Sequence, residues 1–247
     1  MPTFFSDLRY SLRTLARNPG YAAIVILILA AGIGANTAMF SIVDGVLLRA
    51  LPFHEPEQLY AVQEYVPQFV SMAADFPVNA QHFIEWRKHW TAAEQVAMLD
   101  LLSFNLTSGG EPERVNAARI TANLVPMLGV EPQLGRGFLE QEDQEGRDQE
   151  VLLSDALWRR RFHADPAVLG QKVMLSDKPY VVIGVMPAGL KMPRTSQLQS
   201  LTIKDDDPDI WKPFAVTKNE LEIMGDFNFG CIVRLKKGVA PSRALEE

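Results

Sequence analysis

From Asn18 to Val43 the chain carries no charged residue, a run of 26 positions. As an α-helix that run would extend roughly 39 Å, more than the ~30 Å hydrocarbon core of a bilayer. Ile24–Ala31 at its centre is almost wholly aliphatic, and Gly32, Gly34, Ala35 and Ala38 follow. Small residues at such spacing let a second helix approach the backbone closely. A cleaved signal peptide also combines arginines, an apolar stretch and small residues. Here, however, the apolar character runs past Gly32–Ala35 as far as Leu48. A buried core helix seldom stays uncharged for so long. The run therefore predicts a retained transmembrane helix over 21–48.

Flanking charge orients it. Arg9, Arg13 and Arg17 precede the run, whereas Asp44, Arg49, Glu55 and Glu57 follow it. Positive charge stays on the cytoplasmic side. The expectation is a single-pass protein of the inner (cytoplasmic) membrane, with its N-terminus cytoplasmic and its main domain extracytoplasmic. Phe4, Phe5, Leu8, Leu12 and Leu15 recur at helical steps with the arginines elsewhere. Residues 1–20 thus read as an amphipathic helix lying on the inner leaflet or against another subunit, broken at Asn18-Pro19-Gly20.

The net charge of −6 is carried by the part beyond residue 20, since the first twenty residues are positive. Such a surface offers no general attraction to nucleic acid. Cys231 is the sole cysteine and has no partner for an internal disulfide.

Beyond the membrane run, period-two patterns predict strands at Leu59–Val66, Gln95–Leu99, Leu102–Thr107, Arg114–Ile120, Glu150–Leu153 and Phe227–Leu235. A hairpin of Lys172–Leu175 and Tyr180–Val185 closes around Asp177-Lys178. Asn79 and Ser154 are placed to cap helices carrying Phe83, Trp86 and Trp90, and Leu157, Trp158 and Phe162. Asn123 is placed to cap a short helix ended by Gly129, and Pro241 opens a last one. The fold class is α+β.

No motif with a chemical mechanism is present. The sequence has no G-x4-G-K-[S/T], H-E-x-x-H, G-x-S-x-G or C-x-x-C. His54, His82, His89 and His163 are scattered. His82 and His89, seven apart, share a helix face but lack a third ligand. Asp205-Asp206-Asp207-Pro208-Asp209 lacks the spacing and distal glutamate of a calcium loop. It reads as a solvated loop, as does the acidic stretch Glu140–Glu150. Asn105-Leu106-Thr107 matches a glycosylation triplet but falls within a predicted strand. The sequence predicts no enzyme: no catalytic, cofactor-binding or metal-binding residue is assigned, and no cofactor.

Several blocks together resemble MacB/FtsX-type ABC transporter permeases. They are Asp7-Leu8-Arg9-Tyr10-Ser11-Leu12-Arg13, Asn18-Pro19-Gly20, Gly32–Phe40 and Val46–Pro52 at the start. In the outer part they are Leu128-Gly129-Val130, Leu134–Phe138, Leu157–Phe162, Val182–Pro187 and Trp211-Lys212-Pro213. The likeness extends to the MacB-like periplasmic core domain and the N-terminal part of the large duplicated permeases of that group. It implies a porter-like α/β subdomain from 50–100 and 226–247, with a mainly β subdomain, 101–225, inserted. It also implies a non-catalytic permease component that couples a separate ABC ATPase subunit to its outer domain. Other permease helices or a homodimer partner would complete the membrane part. Because such permeases carry further membrane helices after the outer domain, the resemblance implies a fragment or a split half. A residue 49–247 piece would then leave apolar surface beside Ala244 and Leu245 and self-associate or melt at low temperature. The alternative function is a single-pass anchored module that captures a ligand or a protein.

Overall fold

The computed structural model describes residues 13, 17, 19–43, 53–69, 71, 75–190, 192, 207–223 and 225–246. Arg13 and Arg17 are helical. The rest of the expected amphipathic helix, the membrane exit at 44–52, and Asp205 and Asp206 lie outside the described residues. The chain divides into two units, 1–51 and 52–247.

In the first unit a helix spans Pro19–Val43, 25 residues. Proline suits a first helical position because the N–H it lacks would have no partner there. Its segment Pro19–Phe40 has a mean hydropathy of 2.1 and none of it is buried, so it is long and apolar enough to cross a membrane. Asn36 is the conspicuous polar residue, and its Nδ2 donates to the Gly32 carbonyl one turn back at 3.0 Å. That internal bond lowers the cost of holding an amide in hydrocarbon.

The second unit is built on one sheet. Its strands are β1 (Leu59–Val62), β2 (Val78–Asn79), β3 (Ala93–Leu106), β4 (Glu113–Ile120), β5 (Leu134–Gly135), β6 (Glu150–Leu153), β7 (Lys172–Leu175), β8 (Lys178–Val185), β9 (Ile210–Pro213) and β10 (Phe227–Leu235). The order is β1-β10-β3-β4-β9-β6-β8-β5, with β2 beside β10 and β7 beside both β3 and β8. Pairings are antiparallel except β4 with β9 and β6 with β8. The link from β7 back to β3, Leu106 opposite Leu175, closes strands β3, β4, β9, β6, β8 and β7 into a ring.

Alternation along the strands sorts the core. On β3, Val96 and Met98 join one cluster with Phe83, Phe229, Cys231 and Val233. Ala97 and Leu99 face a second cluster with Ile120, Leu124, Leu152 and Ile232. Successive side chains of a strand point to opposite faces, so β3 and β10 are covered on both sides. A third cluster unites residues of the ring, among them Leu106, Val115, Val151, Leu175, Val182 and Ile210, with Leu157 and Trp158 of the helix Asp155–Phe162.

The expected caps form. Asn79 accepts from the Gln81 amide and Ser154 from the Leu157 amide. The hairpin turn lies one residue earlier than expected, at Ser176-Asp177 rather than Asp177-Lys178, with φ 46° and 66°, the left-handed pair that a two-residue hairpin needs. Lys178 already belongs to β8, paired with Leu175.

Four further expectations are corrected. The strand expected over Leu59–Val66 stops at Val62. Glu64 turns inward instead, accepting from the Asn79 amide at 2.6 Å and lying 2.5 Å from His82 Nδ1. The two strands expected over 95–107 are one, because Asp100 is opposite Arg119 on β4 and its charge is paired within the sheet. The acidic stretch Glu140–Glu150 is not a freely solvated loop: Glu142 is 7% exposed. Arg136 grips both its oxygens, at 2.6 and 2.9 Å. Finally, Asn123 precedes the short helix Leu124–Met127 without capping it. Its Nδ2 donates to the Val96 carbonyl at 3.0 Å instead.

Candidate functional site

A hollow in the second unit lies where the helix Ala80–His89 meets the start of β3. Phe83 anchors this helix in the core, and Trp86 and Trp90, three and seven residues on, lie along the same side. Their rings are 5.8 Å apart and inclined at 50°. The Trp90 indole donates to the Ala244 carbonyl at 3.1 Å, which fixes the ring. The groove beside them has a volume of about 600 Å3. Its floor is the beginning of β3, Glu94, Gln95 and Val96, and its far wall is Asn123, Pro126, Phe138 and Leu139.

The far wall is held rigidly. Glu142, gripped by Arg136, accepts from the Leu139 amide at 2.9 Å. Burial opposes charge on Glu142, but the hydrogen bonds from Arg136 and the Leu139 amide outweigh it and hold the carboxyl below its ordinary value. The neighbouring Asp143, with its side chain 6% exposed, accepts from the Ala215 amide at 2.8 Å and the Ala122 amide at 3.4 Å. Burial nevertheless pushes its carboxyl above the ordinary range, against those bonds and the charges of Arg87 and Lys212.

Arg87 reaches across from the helix to this wall. Its guanidinium is 3.6 Å from Glu140 and 3.8 Å from Asp143. Both are ion pairs at distances beyond a good hydrogen bond. Two acceptors on the floor and wall stay unmatched: Gln95 Oε1 and Asn123 Oδ1 are buried without a hydrogen-bond partner. An unpaired buried carbonyl costs roughly 1–3 kcal/mol.

The histidines weighed from the sequence do not come together. His82 pairs with Glu64, and His89 lies 3.6 Å from Glu85. Among the described residues no three histidine, cysteine or acidic side chains are placed to hold a metal. Asp207 is exposed, while Asp209 is 3.7 Å from Arg160. Asn105 is in β3 opposite Arg114. Cys231 is buried, and burial pushes its thiol well above the ordinary cysteine value. The sequence alone marks none of the groove residues for function. Trp86 and Trp90 were legible as one face of a helix, but the other walls come from three distant segments and share no motif.

A helix long and apolar enough to cross a membrane is followed in this chain by a mixed α/β domain. The family described as the MacB-like periplasmic core domain matches residues 22–247, and the chain belongs to that family. The periplasmic region of MacB from Actinobacillus actinomycetemcomitans is similar in fold, with a TM-score of 0.53 at 16% identity, covering 76% of this chain and 78% of that one. A domain of a protein assigned as a permease, from Porphyromonas gingivalis, gives 0.57 at 18% identity, covering 78% and 82%. No curated relative matches the chain.

Proposed function

We propose that the chain is a permease component of a MacB/FtsX-type ABC transporter system. It is non-catalytic and couples a separate cytoplasmic ATPase to its outer domain. The observation that carries this is the span of the family match, which begins within the apolar helix and runs through the α/β domain as one unit. In this reading the N-terminus, with Arg13 and Arg17, is cytoplasmic, and the domain from about residue 49 is extracytoplasmic. The strands and helix of 50–100 and 226–247 form the porter-like part. Residues 101–225, which include most of the strand ring, form the inserted part. The apolar helix, none of which is buried within this chain, offers Gly32 and Gly34 with open space beside them to another membrane helix.

The test is co-purification. The full chain, extracted in mild detergent from its own membranes, should bring down an ABC ATPase subunit. Its addition to that ATPase in nanodiscs should change the rate of ATP hydrolysis. An ATPase that neither binds nor responds would remove the coupling role.

A further inference from the structure

An aromatic face of the second unit is built where two segments without basic residues meet. Residues 50–86 contain no lysine or arginine, and neither do residues 219–233, yet together they hold eight carboxylates. Asn79 ties the two together, its Nδ2 donating to the carbonyls of Ile223 at 3.3 Å and Asp226 at 3.2 Å. Across this junction the rings of Phe69, Phe76, Phe227 and His82 follow one another, with centroids 6.0, 5.8 and 6.3 Å apart. The row is open to solvent. Tyr65, Phe69 and Ile223 are 67%, 41% and 44% exposed, and the His82 side chain is half-exposed. Tyr65 belongs to the same face through its neighbour Glu64, whose backbone pairs with Phe76.

The charge beside these rings has one sign. Asp75 adjoins Phe76 and Glu222 adjoins Ile223, and both carboxylates are exposed. Arg119 on β4, 5.7 Å from the Phe229 ring, is already bound by Asp100 and Glu220. Protein interfaces gather aromatic residues at their centre inside a polar rim, and an exposed apolar patch of this kind marks an interaction surface. The sign of the rim selects the occupant. A second copy docked about a two-fold axis would set the same carboxylates against each other. An anionic lipid surface attracts basic segments and repels this one. A partner with an apolar centre and a basic rim matches both the rings and the charge.

We propose that the face around Phe69, Phe76, Phe227 and Ile223 docks another protein, through an apolar segment of that partner flanked by lysine or arginine. The surface takes such a partner whether or not the chain couples to an ATPase.

The test uses the full chain in nanodiscs of phosphatidylcholine, a lipid without net charge, and isothermal titration with empty nanodiscs as the blank. The probe is the peptide amide Lys-Lys-Trp-Leu-Phe-Lys-Lys. One control, Glu-Glu-Trp-Leu-Phe-Glu-Glu, inverts its charge, and another, Lys-Lys-Ser-Gly-Ser-Lys-Lys, removes its apolar centre. The probe should bind at least tenfold more tightly than either control. Phe69→Ser and Ile223→Ser should each weaken it at least threefold, as should Asp75→Asn combined with Glu222→Gln. Asp177→Asn, which removes an exposed carboxylate in the β7–β8 turn, should leave the affinity unchanged. Melting curves matching the parent protein keep a folding defect from imitating the loss. The site is overturned if a control binds as tightly as the probe, if both serine variants bind unchanged, or if Asp177→Asn weakens binding as much as the paired amide variant. Two further measurements examine the rival occupants, and neither should respond to Phe69→Ser. Flotation of the nanodiscs with phosphatidylglycerol vesicles, if Phe69→Ser abolishes it, would overturn the protein partner in favour of a lipid surface. Self-association in sedimentation, if Phe69→Ser abolishes it, would overturn that partner in favour of a second copy.

Discussion

Arg234 Nη2 donates to the carbonyl oxygen of Met127 at 2.7 Å, joining β10 to the end of the short helix Leu124–Met127. The same guanidinium donates to the carbonyls of His54 at 2.6 Å and Glu55 at 3.2 Å. One buried cation, 4% exposed, therefore ties the start of the second unit to its last long strand and to the wall segment that leads into the groove. Its neutralising carboxylate is distant, with Glu55 Oε2 at 4.0 Å, so backbone carbonyl dipoles do most of the solvation.

Arg234→Ala should strand the carbonyls of His54 and Met127, while Glu55 keeps the Gln58 amide, and is expected to cost about 2–5 kcal/mol, since each unsatisfied buried acceptor costs roughly 1–3 kcal/mol. Arg234→Lys should recover part of this, since one ammonium cannot reproduce a planar fork. Denaturant unfolding of the detergent-solubilised chain measures both. A loss below about 1 kcal/mol for the alanine variant would show that the three bonds are not structural.

Gly135 and Gly137 form a matched pair of substitutions. Gly135 has φ +77°, and a Cβ there would collide with the backbone of Ile183 and Gly184 on β8. Gly137 has an unremarkable φ and open space. Gly135→Ala is expected to destabilise by more than about 1 kcal/mol, while Gly137→Ala should be neutral or slightly stabilising. Thermal melting decides, and equal effects would remove the argument from backbone conformation.

The strands were legible to within a residue or two wherever alternation was clean, as in β6, β7 and β10. β9 was not, because Trp211-Lys212-Pro213 is too short and ends in a proline. It is a strand through its parallel pairing to β4, a partner about ninety residues away in sequence. The helix Lys218–Glu222 is too short for a periodic signal, although Thr217 and Glu220 form a capping box visible as T-x-x-E. Asp100 hid the continuity of β3 because a charge inside an apolar run reads as a break until Arg119 is seen opposite it. The groove was not legible, since sequence periodicity reports which face a helix buries and not what stands across from it.

Asp155, in the first turn of the helix Asp155–Phe162, accepts from Arg159 Nε and Gln133 Nε2, both at 2.7 Å. Those hydrogen bonds, Arg159 first, hold its carboxyl below the ordinary value. A depressed pKa means stability that is full above the unfolded value of about 3.9 and lost as the pH falls through the folded one. Asp155→Asn should therefore lower stability by up to ~1 kcal/mol at neutral pH. The difference from the parent should shrink below about pH 3.9. A difference independent of pH would assign the effect to packing rather than charge.

Ile28 lies mid-helix with its side chain exposed. Ile28→Arg should cost about 2.5–3.5 kcal/mol of membrane insertion and release more protein on membrane extraction. In the proposed orientation a reporter active only in the cytoplasm, fused after Glu247, should stay silent. Unchanged fractionation or an active reporter would overturn the anchor or its direction.

β3 runs unbroken for 14 residues, Ala93–Leu106, a beam of roughly 46 Å at about 3.3 Å per residue. β10 pairs with its first half and β4 with its second, and Leu99 is in register with both Gly230 and Ile120. β10 and β4 are thus joined along one continuous strand rather than through a linker. A push applied at one end cannot be absorbed by a hinge at Asp100 without breaking ladder bonds. A displacement at one end of β3 is therefore passed along the strand as tilt or twist.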